Sequence, residues 1–301
     1  MGPLVRAAYR LLLAGTRRFS RLCSESPRRR QRRQVLKVYI SADIEGVTGV
    51  TFWDETSQGK PGYEAARRQM TAEVTAACEG AIAGGATEIL VQDAHGGADN
   101  LIASELPREA ELLRGWSGGP MSMLQEIDET YDAVMMVGYH GRAQGAANPL
   151  EHTYTGRATC IRINEKPVAE FTLNTYGAAH FGVPCVLVTG DSGVCAEAEQ
   201  LVPAIATVPV KRGVGSSTVS IHPGEAVDRI RDAARAALTD GREACVLAAL
   251  DHVVLEIVYR HHAPAYRASF YPGAELVDPV TVRFEAPDMY EALRAFGFLL
   301  H

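Results

Sequence analysis

The sequence predicts an α/β fold: a doubly wound, mainly parallel sheet with a smaller C-terminal α+β domain. Three observations carry this expectation. Short apolar runs alternate with longer amphipathic stretches, as βαβ units require. The segments joining them are short. Three of the apolar runs, VYISADIEG (38–46), EILVQDAHGG (88–97) and AVMMVGYHG (133–141), stop at acidic or histidine residues. Strands of an open parallel sheet end this way when their carboxyl ends line a site.

The elements follow in order. The first strand begins at Leu36. Residues 62–84 form an amphipathic helix, because Tyr63, Ala66, Met70, Val74, Ala77 and Ala81 recur every three or four positions and Gly84-Gly85 ends the pattern. Residues 87–93 form a strand, 121–130 a short helix and 131–138 a further strand. Residues 159–168 read as a hairpin turning at Asn164-Glu165. A helix over 168–180 and a strand over 183–190, ending at Asp191, complete the first domain. Beyond residue 210 the texture changes. Gly213, Gly215, Ser216 and Ser217 predict a loop. A helix over 223–238 follows, then strands at 252–259 and 280–284 bracketing a loop, then a helix over 287–298. The expected division is a disordered arginine-rich head at 1–35, an α/β metal-binding catalytic domain at 36–210 and an α+β domain at 211–301.

Charge separates the head from the body. Residues 1–37 carry ten arginines and Lys37 against Glu25, a net +10 within an overall −6, so the remainder stands at −16. So acidic a body disfavours nucleic acid. It keeps the protein soluble, and it can also steer the cationic end of a substrate. The head lacks the long apolar run of a secretory signal. It reads as a targeting segment, or as sequence upstream of a native start near Val35 or Leu36. With so little apolar surface it is expected to be disordered. No window offers the ~18 apolar residues of a membrane span. Six cysteines without a C-x-x-C pair suggest reduced thiols and a cytoplasmic protein.

The strand ends suggest chemistry. Asp43 and Glu45 are spaced i and i+2, so in extended chain both leave one face. Asp43 could bridge two ions while Glu45 binds one, leaving Gly46 for close backbone approach. Asp93-x-His95 repeats the spacing, with His95 as ligand and Asp93 placed to fix its ring tautomer. His140 ends an apolar strand ahead of Gly141. Oxygen and imidazole ligands of this kind suit zinc, and a shared carboxylate suits a pair of ions. Asp191, at the end of another strand, faces two uses: holding a substrate amine or capping the next helix. His261-His262 has no carboxylate cluster beside it. The absence of G-x-S-x-G, a Walker loop and H-E-x-x-H argues against serine hydrolases, NTPases and zincins. The residues thus point to a metal-dependent hydrolase.

From about Leu36 onward the chain resembles the dinuclear-zinc D-aminopeptidases, a bacterial family associated with dipeptide transport. The shared motifs are D-x-E-G at residues 43–46, D-x-H at 93–95 and G-Y-H at 138–140. An H-x-x-x-G stretch at 152–156 and I-N-x-x-P-V-x-E at 163–170 complete the set. The resemblance implies zinc ligands at Asp43, Glu45, His95, His140 and Glu170, and a catalytic histidine at His152. It further implies two zinc ions per subunit, short peptides beginning with a small D-residue as substrates, and a homo-oligomeric ring, a decamer. A non-catalytic peptide-binding protein linked to dipeptide uptake is the alternative from another class. A dinuclear hydrolase of another amide is the alternative within enzymes.

Overall fold

The structure, a computed structural model, describes residues 35–300. The arginine-rich head expected to be disordered lies outside the described residues. In chain order the first strands are Lys37–Ala42 (β1), Glu88–Asp93 (β2), Ala110–Leu113 (β3), Ala133–Tyr139 (β4), Ala158–Ile163 (β5) and Lys166–Pro167 (β6). They are followed by Cys185–Asp191 (β7), Ala206–Val214 (β8), Ser217–Ser220 (β9), Val253–Tyr259 (β10), Ala274–Asp278 (β11) and Thr281–Ala286 (β12). The α-helices are Tyr63–Ala83 (α1), Glu170–His180 (α2), Ser192–Leu201 (α3), Pro223–Thr239 (α4), His262–Ala268 (α5) and Met289–Leu299 (α6).

The main sheet has seven strands in the order β3-β2-β1-β4-β7-β8-β9. Every pairing in it is parallel except the terminal β8–β9 hairpin. From β1 the chain steps outward through α1 to β2; from β4 it steps the other way, through α2 and α3, to β7 and β8. Right-handed crossovers therefore place α1 on one face and α2 with α3 on the other. Contacts agree: α1 packs on β1, β4 and α4, while α2 packs on β4, α3 and α6. Both faces are covered, so every residue of β4 and β7 is buried. All six positions that define the apolar stripe of α1 are buried too.

A second, five-stranded antiparallel sheet has the order β11-β12-β10-β5-β6. Its composition corrects the expected domain boundary between residues 210 and 211. Strand β8 runs across that point, and α4 returns to pack on α1. The β5–β6 hairpin, from the middle of the chain, pairs instead with β10. From Val35 the chain forms one compact unit.

Three local expectations are also corrected. The segment 121–130 is a single 3-10 turn at Ser122–Leu124, which left-handed Glu126 keeps from continuing. Its carbonyls are taken by the sheet: Met123 O accepts from Ser41 Oγ, Gln125 O from Tyr39 Oη and Ser122 O from Gln92 Nε2. The expected loop at 213–217 is the β8–β9 turn, closed by Val214↔Ser217 pairing. The loop before β12 holds α5 and β11.

The chain segments leaving β1 and β4 cross in close contact. Asp43 N–H donates to Val137 O at 2.9 Å, and Gly46 N–H to Gly138 O at 2.8 Å. A Cβ on Gly46 would lie 1.7 Å from Tyr139 O; one on Gly138, where φ is +76°, would lie 2.2 Å from Asp43 O. The D-x-E-G glycine is thus required because backbone occupies the space a side chain would need. Gly46→Ala is expected to destabilise the fold by at least ~3 kcal/mol, since the clash is with main chain that cannot rotate away. Chemical denaturation would measure it, and an unchanged midpoint would remove the constraint.

Candidate metal centre

Three adjacent strands, β2, β1 and β4, deliver their ends to one point. Asp43 and Glu45 follow β1, His95 follows β2 and His140 follows β4. Glu170 arrives by another route, as the first residue of α2, the positive end of that helix. There Oε1 accepts Tyr154 N–H at 2.6 Å. Asp43, Glu45, His140 and Glu170 are buried, whereas His152 is 18% exposed against 1% for His140.

The imidazoles share one arrangement. His95 Nε2–H donates to Thr56 O at 2.8 Å, His140 Nδ1–H to Gly141 O at 2.9 Å and His152 Nδ1–H to Leu150 O at 3.0 Å. A carbonyl oxygen can only accept, so each tautomer is fixed. The remaining nitrogen of each ring then faces carboxylates. His95 Nδ1 is 2.9 Å from Glu45 Oε2 and 3.2 Å from Asp43 Oδ1. His140 Nε2 is 3.5 Å from Asp43 Oδ2 and 3.6 Å from Glu170 Oε1. His152 Nε2 is 3.7 Å from that same Glu170 oxygen, and its ring stacks on His140 at 4.5 Å.

Burying three carboxylates together creates a demand for positive charge. Burial, aided by the Glu45 carboxylate, lifts the Asp43 carboxyl to about 8. Burial would raise Glu45 as well, but the adjoining His95 holds it well below the usual range. For the rings burial works the other way and is overcome. Glu45 and Asp43 raise His95 well above its ordinary value, and Glu170 and Asp43 push His140 up to about 9. A divalent cation meets the same demand without protons.

The donor set fits such an ion. Among the described residues, Asp43 Oδ2, Glu45 Oε2 and His140 Nε2 are buried without a hydrogen-bond partner. Leaving a buried polar atom unpaired costs ~1–3 kcal/mol, so three at one point mark a ligand position. Asp43, Glu45 and His140 form one group with ligand atoms within 4.8 Å of one another, and His140, His152 and Glu170 form a second. Imidazole nitrogen with carboxylate oxygen suits zinc among the divalent transition metals, and backbone carbonyls orienting the rings complete the usual surroundings of such ligands.

Two expectations are corrected. Asp93 does not orient His95: it accepts Asn100 N–H at 2.6 Å, Leu101 N–H at 2.7 Å and Asn100 Nδ2 at 2.8 Å. Asp191 does not hold a substrate amine. It is fully buried, with Oδ1 accepting from Gly193 and Val194 N–H as the cap of α3 and Oδ2 accepting from Gly141 N–H and Asn148 Nδ2. Both carboxylate oxygens are saturated. Sequence reasoning missed the Thr56 carbonyl, which carries no residue-type signal. It also missed Trp53, 51% exposed, whose ring edges onto His152 at 5.4 Å. An adjacent aromatic pair, Phe52-Trp53, just beyond D-x-E-G was the available signal.

Chelation is expected to lower the melting temperature, and added zinc to restore it, because an ion bound only to the folded state stabilises it by mass action. In His140→Ala, zinc content and melting temperature should fall together. A folded His140→Ala protein with undiminished zinc by elemental mass spectrometry would remove His140 from the site.

A sequence model of the D-aminopeptidase family (peptidase M55) matches residues 36–298. The D-aminopeptidase of Bacillus subtilis (strain 168) is 34% identical over 262 residues, covering 86% of this chain and 95% of the relative. Among solved structures, the Zn-dependent D-aminopeptidase DppA from Bacillus subtilis, a self-compartmentalizing protease, superposes with a TM-score of 0.84 at 32% identity. That match covers 88% of this chain and 97% of DppA. With the family motifs converging on one metal-ready cluster, the chain belongs to the D-aminopeptidase family and is a peptide-bond hydrolase.

Proposed function

We propose that this protein is a zinc-dependent aminopeptidase that removes a small D-residue, of the D-Ala kind, from the N-terminus of short peptides. Two zinc ions would be held by Asp43, Glu45, His95, His140 and Glu170. The observation that carries this reading is the shared arrangement of three rings, each tied to a main-chain carbonyl with its other nitrogen facing buried carboxylates. When bound, zinc supplies Lewis acidity, polarising an amide carbonyl and making water a nucleophile near neutral pH.

The residues divide the remaining work. Asp43 turns Oδ1 toward His95 and Oδ2 toward His140, so one carboxylate spans the two halves of the cluster, as a bridging ligand must. Glu45 stands with His95, and Glu170 with His140. His152 is the more open of the two stacked rings, and its Nε2 can take a proton and return it to the leaving amine. Exposed Trp53 borders the ring on the solvent side. A second reading has a specific basis: His152 falls in one ligand group with His140 and Glu170, so it could bind the ion directly.

His152→Ala separates the two. As proton carrier, its loss should leave both zinc ions bound and reduce the rate ~10²–10⁴-fold; loss of zinc would make it a ligand instead. On matched peptides the zinc-loaded enzyme is expected to favour N-terminal D-Ala over L-Ala, and equal or L-preferring rates would sink the chirality claim. A protein that binds peptide without turnover, before and after chelation, would instead be a binding protein. Faster turnover of another amide would redirect the assignment.

DppA is a self-compartmentalizing protease, and for this chain we propose a homo-oligomeric ring, a decamer by family resemblance, with the sites facing an enclosed chamber. Among the described residues no helix is long and apolar enough to cross a membrane. Light scattering at micromolar concentration is expected to report the ring, and a monomer would overturn it.

A further inference from the structure

The loop between His140 and His152 contains a buried amide that none of the roles above uses. Asn148 Nδ2 donates to Glu45 O at 2.9 Å and to Asp191 Oδ2 at 3.0 Å. Its Oδ1 accepts Leu150 N–H at 3.0 Å. The amide orientation follows from chemistry, because two acceptors face one end and a donor faces the other.

Each of these partners leads directly to a site residue. Glu45 O belongs to a proposed ligand. Asp191 Oδ2 also accepts Gly141 N–H at 2.8 Å, and Gly141 O in turn holds the His140 ring at 2.9 Å. Leu150 O holds the His152 ring at 3.0 Å. One side chain thus spans the main chain behind Glu45, His140 and His152. Lys211, the only lysine or arginine side chain buried among the described residues, braces the same point from β8. Its Nζ donates to Glu45 O and, at 2.6 Å, to Val50 O. From α1, Glu73 Oε1 accepts Thr48 N–H at 3.0 Å, so the turn after β1 is held along its length.

Resting on the zinc-aminopeptidase reading, we propose that Asn148 is a positioning residue that sets the separation of Glu45, His140 and His152, with Lys211 and Asp191 as its braces. The network lies away from the ligand-facing edges of those side chains, so it acts on where they stand rather than on what they bind. A displacement of ~1 Å in a catalytic constellation can cost ~10²-fold in rate. Positioning by main-chain contacts behind the ligands is where such a loss would originate.

The test uses the full chain with Asn148→Ser and Asn148→Asp. The serine variant shortens the reach. The aspartate variant keeps the acceptor for Leu150 N–H but turns a carboxylate oxygen on Glu45 O and Asp191. Zinc affinity is read by competition with a chromogenic chelator, folding by circular dichroism and melting temperature, and kcat and KM per zinc-loaded site on a D-Ala peptide. Expected are folded variants with zinc affinity lowered at least tenfold and kcat per loaded site lowered at least tenfold, with KM within about threefold. A purely structural network would lower the melting temperature while leaving zinc affinity and kcat per loaded site unchanged, and that result overturns the proposal. So does failure of both variants to fold. Parent protein that binds no zinc in the competition would sink the zinc reading itself. Parent binding with variants unchanged would sink this inference alone.

Discussion

The site depends on a backbone crossing. Strands β1 and β4 run in parallel register, with Ala42 level with Val137, and reach the sheet edge together. Beyond that register the two chains remain converged, with Asp43 N–H donating to Val137 O and Gly46 N–H to Gly138 O. Convergence occurs because Gly46 and Gly138 carry no side chain where the two segments touch. The Asp43 and His140 side chains then stand 3.5 Å apart, and the remaining groups are arranged around that pair. The motif glycines belong to the site as fully as the proposed ligands do.

The electrostatics run against stability. Three carboxylates with little solvent lose hydration that no arrangement of imidazoles alone restores, and buried charge of one sign is strongly unfavourable. The fold offsets this locally: Glu170 sits at the positive end of α2, and Asp43 accepts from Ile44 N–H at 2.8 Å. The rest of the compensation falls to whatever cation the cluster gathers. Similar logic surrounds the site. Asp191 is buried but saturated by four donors, and Lys211 is buried with two carbonyls. Saturated groups of this kind serve as struts, whereas Asp43 Oδ2, Glu45 Oε2 and His140 Nε2, buried without partners, belong to the proposed ligands.

Much of this was legible in the sequence, for identifiable reasons. The α1 stripe and the apolar parallel strands reflect burial, which leaves periodic marks on a chain. The D-x-E, D-x-H and G-Y-H triplets sit at strand ends, where the general rule for open parallel sheets places a site. The domain boundary was not legible, because β5 pairs with β10 across about ninety residues and pairing over such a distance leaves no local trace. The supposed helix at 121–130 failed because side chains of the neighbouring strands take its carbonyls. Asp93 was misassigned because D-x-H spacing places a carboxylate near a ring without showing which partner it prefers. Among the described residues, five buried cysteines are all free, so none contributes a crosslink to the fold.

The edge of Trp53 against His152 has an optical consequence. The chain contains two tryptophans, Trp53 and Trp116, and the second instead donates its indole N–H to Gly96 O. Indole emission responds to a cation held near the ring, through the same field that underlies cation–π attraction. A cation arriving beside that ring is therefore reported by one fluorophore of a pair. In a Trp116→Phe background, light emitted by the unlabelled protein would follow cations at the mouth of the site in real time.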